Sequence, residues 1–151
     1  MSSIAHATLE GGMKFVAKTG SGHEVVMDAG EKVGGGDSAA RPAELPYAGL
    51  AGCTGMDAIS ILRKMRQEPE HFSIEVEGLE KREEYPKRWT SIRVTFHVKG
   101  DVVPEKLARA IDLSRTRYCG VSAALKPGMS IEYNYVLNGE RVVMGDPKEE
   151  E

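Results

Sequence analysis

Long apolar runs are missing from this sequence. None reaches the 18 or more residues that a membrane-spanning helix needs, so we predict that the chain has no membrane span. The first residues, MSSIAHATLEGG, lack the basic and apolar regions of a secretory signal peptide, and we therefore expect a cytoplasmic protein. Neither sign of charge dominates, with 20 Lys and Arg against 23 Asp and Glu. A nucleic-acid-binding protein would need a basic face, so we expect no nucleic-acid partner.

Residues that commonly bind metals are also scarce. The two cysteines, Cys53 and Cys119, lie much too far apart in the sequence for a C-x-x-C motif. In a reducing compartment they are expected to be resting thiols, and a disulfide there is more often catalytic or redox-sensing than structural. The histidines show no metal-binding spacing; they are His6, His23, His71 and His97. We therefore predict neither a metal nor a cofactor.

The order of elements predicts an α+β fold. A chain of 151 residues suggests a single domain, which we expect to be ordered over residues 5–140, with a disordered charged tail, GDPKEEE. Short apolar runs broken by glycine predict an antiparallel meander in the N-terminal third. A glycine-rich loop, which we expect to be flexible, follows around residues 34–36.

The middle of the chain predicts a buried helix. Residues 42–67 are apolar almost all round, which is typical of a buried helix, and Pro46 and the glycines predict a kink or a break near Cys53. Alternating strands over 72–77 and 92–98, an amphipathic helix over 104–120 and a last strand over 130–140 follow. The predicted fold thus consists of antiparallel sheets with a central buried helix.

Glycine is concentrated around the first cysteine, in GLAGCTGMDA at residues 49–58. The G-x-x-G-x-x-G spacing fits neither a dinucleotide fingerprint nor a phosphate-binding P-loop. Two interpretations remain. The glycines could allow close packing of the helix, or a new helix could begin at Thr54 with Asp57 completing a capping box. In the second case Cys53 would lie beside a positive helix end, which lowers the pKa of a thiol.

Three segments together resemble a known family. PAEL, GCTGMDAISILRKMR and LSRTRYCGVSAAL are similar to the OsmC/Ohr family of organic hydroperoxide reductases, and the resemblance covers most of residues 5–138. It is closer to the OsmC-like branch than to the organic hydroperoxide resistance branch. The resemblance implies an intertwined homodimer with active sites at the subunit interface. It also implies an organic hydroperoxide substrate and an external dithiol reductant.

The resemblance also assigns roles to individual residues. Cys53 would attack the peroxide, Cys119 would supply the resolving thiol, and Glu44 would help to hold a nearby arginine. Apolar neighbours of Cys53 could form the substrate pocket, although core packing explains them as well. These neighbours are Met56, Ile59 and Leu62.

One departure from the family concerns the arginine that stabilises the thiolate. In the family's peroxidases it comes from the N-terminal strands, whereas no arginine precedes Arg41 here, so Arg41, Lys18 or Lys14 would have to replace it. Lysine lacks the planar fork of arginine and is not an equivalent substitute. The alternative function is therefore a non-peroxidase on the same scaffold, which senses redox state or binds a small ligand.

Overall fold

A computed structural model describes residues 2–148 of the chain. The chain divides after Pro46 into two compact units, and the single-domain organisation inferred from chain length stays a prediction. Of the predicted disordered tail at 145–151, residues 149–151 lie outside the described residues. Among the helices that are described, none has the length and apolar character needed to cross a membrane.

The first unit contains the predicted meander. Its strands form an antiparallel sheet in the order β1-β2-β3. They are β1 (Ala5–Gly11), β2 (Lys14–Thr19) and β3 (Glu24–Met27). The short apolar runs between glycine turns in the sequence thus correspond to these strands.

The glycine-rich loop after β3 is hydrogen-bonded to one buried carboxylate, and its expected flexibility stays a prediction. Asp28 accepts hydrogen bonds from the Ser38 hydroxyl at 2.6 Å and from the backbone amides of Ala29 and Gly36 at 2.8 and 3.2 Å. These bonds, that of Ser38 first, lower the pKa of Asp28 to about 2. At Gly35 a side chain is impossible, because a Cβ would lie 1.9 Å from the carbonyl oxygen of Ala29.

The second unit packs helices on a four-stranded sheet of order β4-β5-β6-β7. Its strands are β4 (His71–Arg82), β5 (Arg88–Lys99), β6 (Ser130–Leu137) and β7 (Glu140–Met144). The helices are α1 (Leu45–Lys64), which begins at the unit boundary, α2 (Pro104–Leu113) and α3 (Gly120–Leu125). The α+β class predicted from the sequence is confirmed.

One strand pair departs from the predicted antiparallel arrangement. β5 and β6 are parallel, while the β4–β5 and β6–β7 pairs are antiparallel. The parallel pair arises because the chain between β5 and β6 runs through α2 and α3, and parallel strands require such a crossover. We did not predict β7, although the Asn138-Gly139 turn before it, with positive φ at both residues, is a strong hairpin signal.

The long helix α1 differs from the prediction in two respects. It is one unbroken helix from Leu45 to Lys64, so the predicted break near Cys53 was wrong, whereas the alternative of a kink stays a prediction. It is also buried on one face only, because its buried residues recur every three or four positions. They are Leu50, Thr54, Gly55, Ala58 and Leu62. The opposite face, which includes Gly49, Gly52 and Met56, is exposed.

Candidate functional site

The two cysteines meet although they are 66 positions apart in the sequence. Cys53 lies in the middle of α1 and is half-buried, whereas Cys119 precedes α3 and is only 4% exposed. Both are free thiols, and their side chains are hydrogen-bonded to each other. The two sulfur atoms and a carboxylate oxygen of Asp57 all lie within 4.8 Å of one another.

A short hydrogen-bonded chain fixes the Asp57 carboxylate. Asp57 follows Cys53 by one helical turn and therefore lies on the same face of α1. The Ser114 hydroxyl donates to Asp57 Oδ2 at 3.0 Å, and the hydroxyls of Ser114 and Thr54 are 2.8 Å apart. Because the one hydroxyl proton of Ser114 goes to Asp57, Thr54 is the donor in the second bond. Thr54 and Asp57 thus orient Ser114 and do not cap a new helix.

A helix start does face the thiols, but it belongs to α3. The backbone N–H of Ser122 donates to Cys119 Sγ at 3.4 Å. The backbone of Val121, one residue earlier, forms a hydrogen bond with Cys53. Both sulfur atoms therefore use amide groups that the first turn of a helix leaves without an intrahelical partner.

An irregular helical turn positions the second cysteine. Residues Ser114–Tyr118 form a π-helical turn between α2 and Cys119, and the Cys119 amide bonds to the Ser114 carbonyl at 2.8 Å. Ser114, at the start of this turn, is buried, whereas Tyr118, at its end, is exposed. Single π turns of this kind are frequent at functional sites.

The electrostatics of Cys53 are opposite to those predicted from the sequence. Burial raises the pKa of the Cys53 thiol above its ordinary value, and the hydrogen bond with Cys119 and negative charge at Cys119 and Asp57 raise it further. The hydrogen bond from the Val121 backbone lowers this pKa but does not reverse the shift. Cys53 is therefore a protonated thiol at neutral pH in this arrangement.

The Arg115–Asp112 ion pair and the Tyr133 ring belong to the surroundings of Cys119. Arg115 binds Asp112 through two nitrogens at 2.8 and 2.6 Å, and its guanidinium carbon is 5.1 Å from the centre of the Tyr133 ring. Burial raises the pKa of the Tyr133 phenol and negative charge at Cys119 adds to this, while a hydrogen bond with Ser122 and the positive Arg115 act in the opposite direction. Arg115 is thus engaged by Asp112.

The predicted cationic and acidic residues lie in the first unit, whereas both thiols lie in the second. The Arg41 guanidinium pairs with Asp37, which raises the pKa of Arg41, and donates to the Ala39 carbonyl at 2.8 Å. Glu44 accepts a hydrogen bond from the Arg41 backbone amide at 3.0 Å. Lys14 and Lys18 are on β2, the first half-buried and the second exposed.

The residues proposed for a substrate pocket separate into two groups. Met56 and Ile59 line an open depression on α1, together with Ser60, Arg63 and Lys64. Met56 is 73% exposed, whereas Leu62 is fully buried among core residues. The depression is therefore formed by Met56 and Ile59 but not by Leu62.

Three polar residues of the site were not among the predicted site residues: Asp57, Ser114 and Ser122. The signal for Asp57 was present in the sequence, because a residue four positions after Cys53 lies on the same helical face. Ser114 and Ser122 carried no such signal, since only the packing of α1 against the segment after α2 brings Ser114 to Asp57.

Sequence comparison matches this chain to one protein family and to a relative from a bacterium. A family model described as OsmC-like protein matches residues 34–134. Protein YhfA of Escherichia coli K12 is 35% identical over 125 residues, which cover 82% of this chain and 90% of YhfA.

Solved structures also match over most of the chain. A hypothetical protein from Aquifex aeolicus VF5 aligns with a TM-score of 0.77 at 28% identity, over 91% of this chain and 98% of that chain. A protein from Legionella pneumophila, described as an organic hydroperoxide resistance protein OsmC, aligns with a TM-score of 0.62 at 17% identity, over 88% and 96%. The second likeness concerns the fold alone.

Proposed function

Because the chain belongs to the OsmC-like protein family, we propose that it is a thiol-dependent peroxidase that reduces organic hydroperoxides through Cys53 and Cys119. The observation that carries this proposal is the pair of free, hydrogen-bonded thiols within 4.8 Å of each other. The fold shared with the Legionella pneumophila hydroperoxide resistance protein supports it. We further propose that the protein acts as a homodimer in the cytoplasm.

The reaction has three balanced steps. The Cys53 thiolate attacks one oxygen of the hydroperoxide ROOH, the O–O bond breaks, and a proton from solvent completes the alcohol ROH while Cys53 becomes a sulfenic acid. The Cys119 thiol then condenses with the sulfenic acid, forming the Cys53–Cys119 disulfide and releasing water. An external dithiol reduces this disulfide by thiol–disulfide exchange and is itself oxidised to a disulfide.

The exposure of the two thiols fits these roles. Cys53, the more exposed, is the one that a peroxide can reach, and the buried Cys119 is protected from direct oxidation. Met56 and Ile59 line the open depression on α1, and we propose that they contact the alkyl group of the peroxide. We propose that a cation, Arg41, Lys18 or Lys14, with Glu44 in support of Arg41, stabilises the thiolate during attack.

A peroxide assay with cysteine variants tests this function. Wild type should consume cumene hydroperoxide and tert-butyl hydroperoxide in the presence of dithiothreitol, and Cys53→Ser should abolish turnover because the nucleophile is lost. In the absence of dithiothreitol, Cys119→Ser should consume about one peroxide per chain, because the sulfenic acid that forms on Cys53 has no thiol to resolve it. Ser130→Ala, an exposed change on β6, is the control and should keep the wild-type rate. Unchanged turnover in Cys53→Ser would overturn the proposal.

A second function is favoured by one observation. The raised pKa of Cys53 lowers the fraction of thiolate at neutral pH, and only the thiolate attacks a peroxide. A slow dithiol on the same scaffold would serve as a redox sensor or as a site for a small ligand. In that case wild type would consume peroxide no faster than buffer with dithiol, yet would form the Cys53–Cys119 disulfide during prolonged oxidation.

A further inference from the structure

We propose that the reduced site binds a thiophilic divalent metal ion, with Zn²⁺ as the best match, through Cys53, Cys119 and Asp57. The three side chains offer two sulfur atoms and one carboxylate oxygen, all within 4.8 Å of one another. They come from two separate segments, α1 and the turn before α3, so that the fold itself assembles the donor set. This inference does not depend on peroxidase activity.

The spacing of the donors suits an ion of this size. With Zn–S bonds of about 2.3 Å and a tetrahedral arrangement, two sulfur ligands are about 3.8 Å apart. Donor atoms that already lie within 4.8 Å therefore need to close by about 1 Å at most. Rotation about the side-chain bonds of the two cysteines and of Asp57 is the movement that would bring the donors this close.

Each of the three donors already has a hydrogen bond that orients it. The Ser114 hydroxyl donates a hydrogen bond to Asp57 at 3.0 Å, and the Ser122 amide donates one to Cys119 at 3.4 Å. The Val121 backbone forms a hydrogen bond with Cys53. Metal ligands in proteins are typically held by outer hydrogen bonds of this kind, which fix their orientation. The orienting partners are thus in place before an ion arrives.

The chemistry of the donors selects the class of metal. Thiolates favour soft and borderline ions such as Zn²⁺, whereas Mg²⁺ and Ca²⁺ prefer sites made entirely of oxygen. Three protein ligands leave the fourth tetrahedral position for water or a small exogenous ligand, the pattern of catalytic rather than structural zinc sites. The half-buried Cys53 and Asp57 provide the open side.

Metal binding and disulfide formation exclude each other, because both use the same two sulfur atoms. A bound ion holds Cys53 and Cys119 as thiolates, whose protons leave to solvent, and it blocks the attack of Cys53 on an oxidant. Conversely, the Cys53–Cys119 disulfide removes two of the three ligands. The site would therefore release its ion on oxidation.

Titration of the reduced, chelator-treated protein with Co²⁺ tests the proposal without any peroxide. Wild type should bind one ion per chain and develop thiolate-to-cobalt charge-transfer absorption, which Zn²⁺ then abolishes by displacement. Cys53→Ser and Cys119→Ser should each lose most of this absorption. Asp57→Asn should bind at least about tenfold more weakly. Asp101→Asn, an exposed carboxylate change in the same unit, is the matched control and should bind like wild type.

A second measurement uses only wild-type protein, so that it tests the site even if the cysteine variants do not fold. Wild-type protein whose thiols are oxidised to the disulfide with diamide should lose the charge-transfer absorption and regain it on reduction. Absence of the absorption in reduced wild type, or its persistence after either cysteine is replaced or oxidised, would overturn the proposal. Because peroxide turnover is not measured, a failed titration leaves the proposed peroxidase intact, and a failed peroxide assay leaves the metal site intact.

Discussion

At Cys53, two opposing physical effects act on one sulfur atom. Partial burial and the negative charge of Asp57 and Cys119 favour the protonated thiol, whereas the amide of Val121 at the start of α3 favours the thiolate. Burial and negative charge together outweigh the Val121 amide, so the pKa of Cys53 is raised. A single helical amide does not offset the removal of a thiolate from water.

The raised pKa predicts how the reactivity of Cys53 depends on pH. Only the thiolate reacts, so the rate of alkylation should increase about tenfold per pH unit and keep rising beyond pH of about 8.5, the ordinary pKa of a cysteine. The measurement is iodoacetamide labelling of Cys53 between pH 6 and 10, followed by peptide mass spectrometry. An unfolded peptide with the sequence AGCTG, residues 51–55, is the control and should level off at the ordinary value. A plateau for the protein below pH 7 would contradict the raised pKa.

At the level of elements, the three glycines of α1 have two different environments. Among the described residues, a Cβ at Gly49 or Gly52 would meet no atom within 4 Å beyond its own neighbours and helix backbone. At Gly55 a Cβ would lie 3.1 Å from Cγ1 of Ile74 on β4. The interpretation that glycine allows close packing therefore applies to Gly55 and not to the other two.

Substitutions at these glycines should have opposite effects on stability. At protein concentrations low enough to give the monomer, Gly49→Ala and Gly52→Ala should each raise the free energy of unfolding by about 0.5–1 kcal/mol, because alanine loses less backbone entropy in a helix. Gly55→Val should lower it by about 1–3 kcal/mol through overpacking against Ile74. Urea denaturation followed by circular dichroism measures all three. If both alanine variants are less stable than wild type at higher concentrations, the exposed face of α1 is covered by a partner subunit and not by water.

The α1 example also indicates which parts of the fold were predictable. Local periodicity was enough for β5 and β6 and for the existence of α1, because alternation and helical spacing are properties of neighbouring residues. Helix continuity at Cys53 was not predictable, since tertiary packing of one face outweighs the local cost of glycine. The parallel orientation of β5 and β6 depends on the path of the chain through α2 and α3. That path is not determined by the pattern of neighbouring residues in either strand.

The site was predictable to a similar extent. The roles of Cys53 and Cys119 came from a resemblance, and Asp57 could have been found from its four-residue spacing to Cys53. The hydrogen bond from Ser114 to Asp57 joins residues that are 57 positions apart. Contacts of this range are set by how elements pack, and a single sequence carries no direct signal for them.

For the whole molecule, several large apolar side chains remain in contact with water. Met56, Ile4 and Val143 are each largely exposed. Single exposed apolar residues are ordinary in soluble proteins, but contiguous ones often mark an interface. The exposed face of α1 combines Met56 with Gly49 and Gly52, whose lack of side chains would allow another helix to approach closely.

We therefore predict that the protein is a homodimer in which this face of α1 is covered. Sedimentation equilibrium at micromolar concentration should give twice the 16.4 kDa mass of one chain. Met56→Lys should shift the equilibrium towards the monomer, because a charge would be buried at the interface. Tyr85→Lys, the same type of change at an exposed residue between β4 and β5, is the control and should leave the mass unchanged. A wild-type mass of one chain would rule out the dimer.

The distance between the two thiols along the chain has a consequence for synthesis on the ribosome. Cys53 emerges 66 positions before Cys119, which at about 5–20 residues per second corresponds to roughly 3–13 s. During that interval the nascent chain carries a lone thiol, without its sulfur partner and without the amides of α3. The dithiol pair is thus completed only when residue 119 of the 151 has been made, and until then Cys53 behaves as an isolated cysteine.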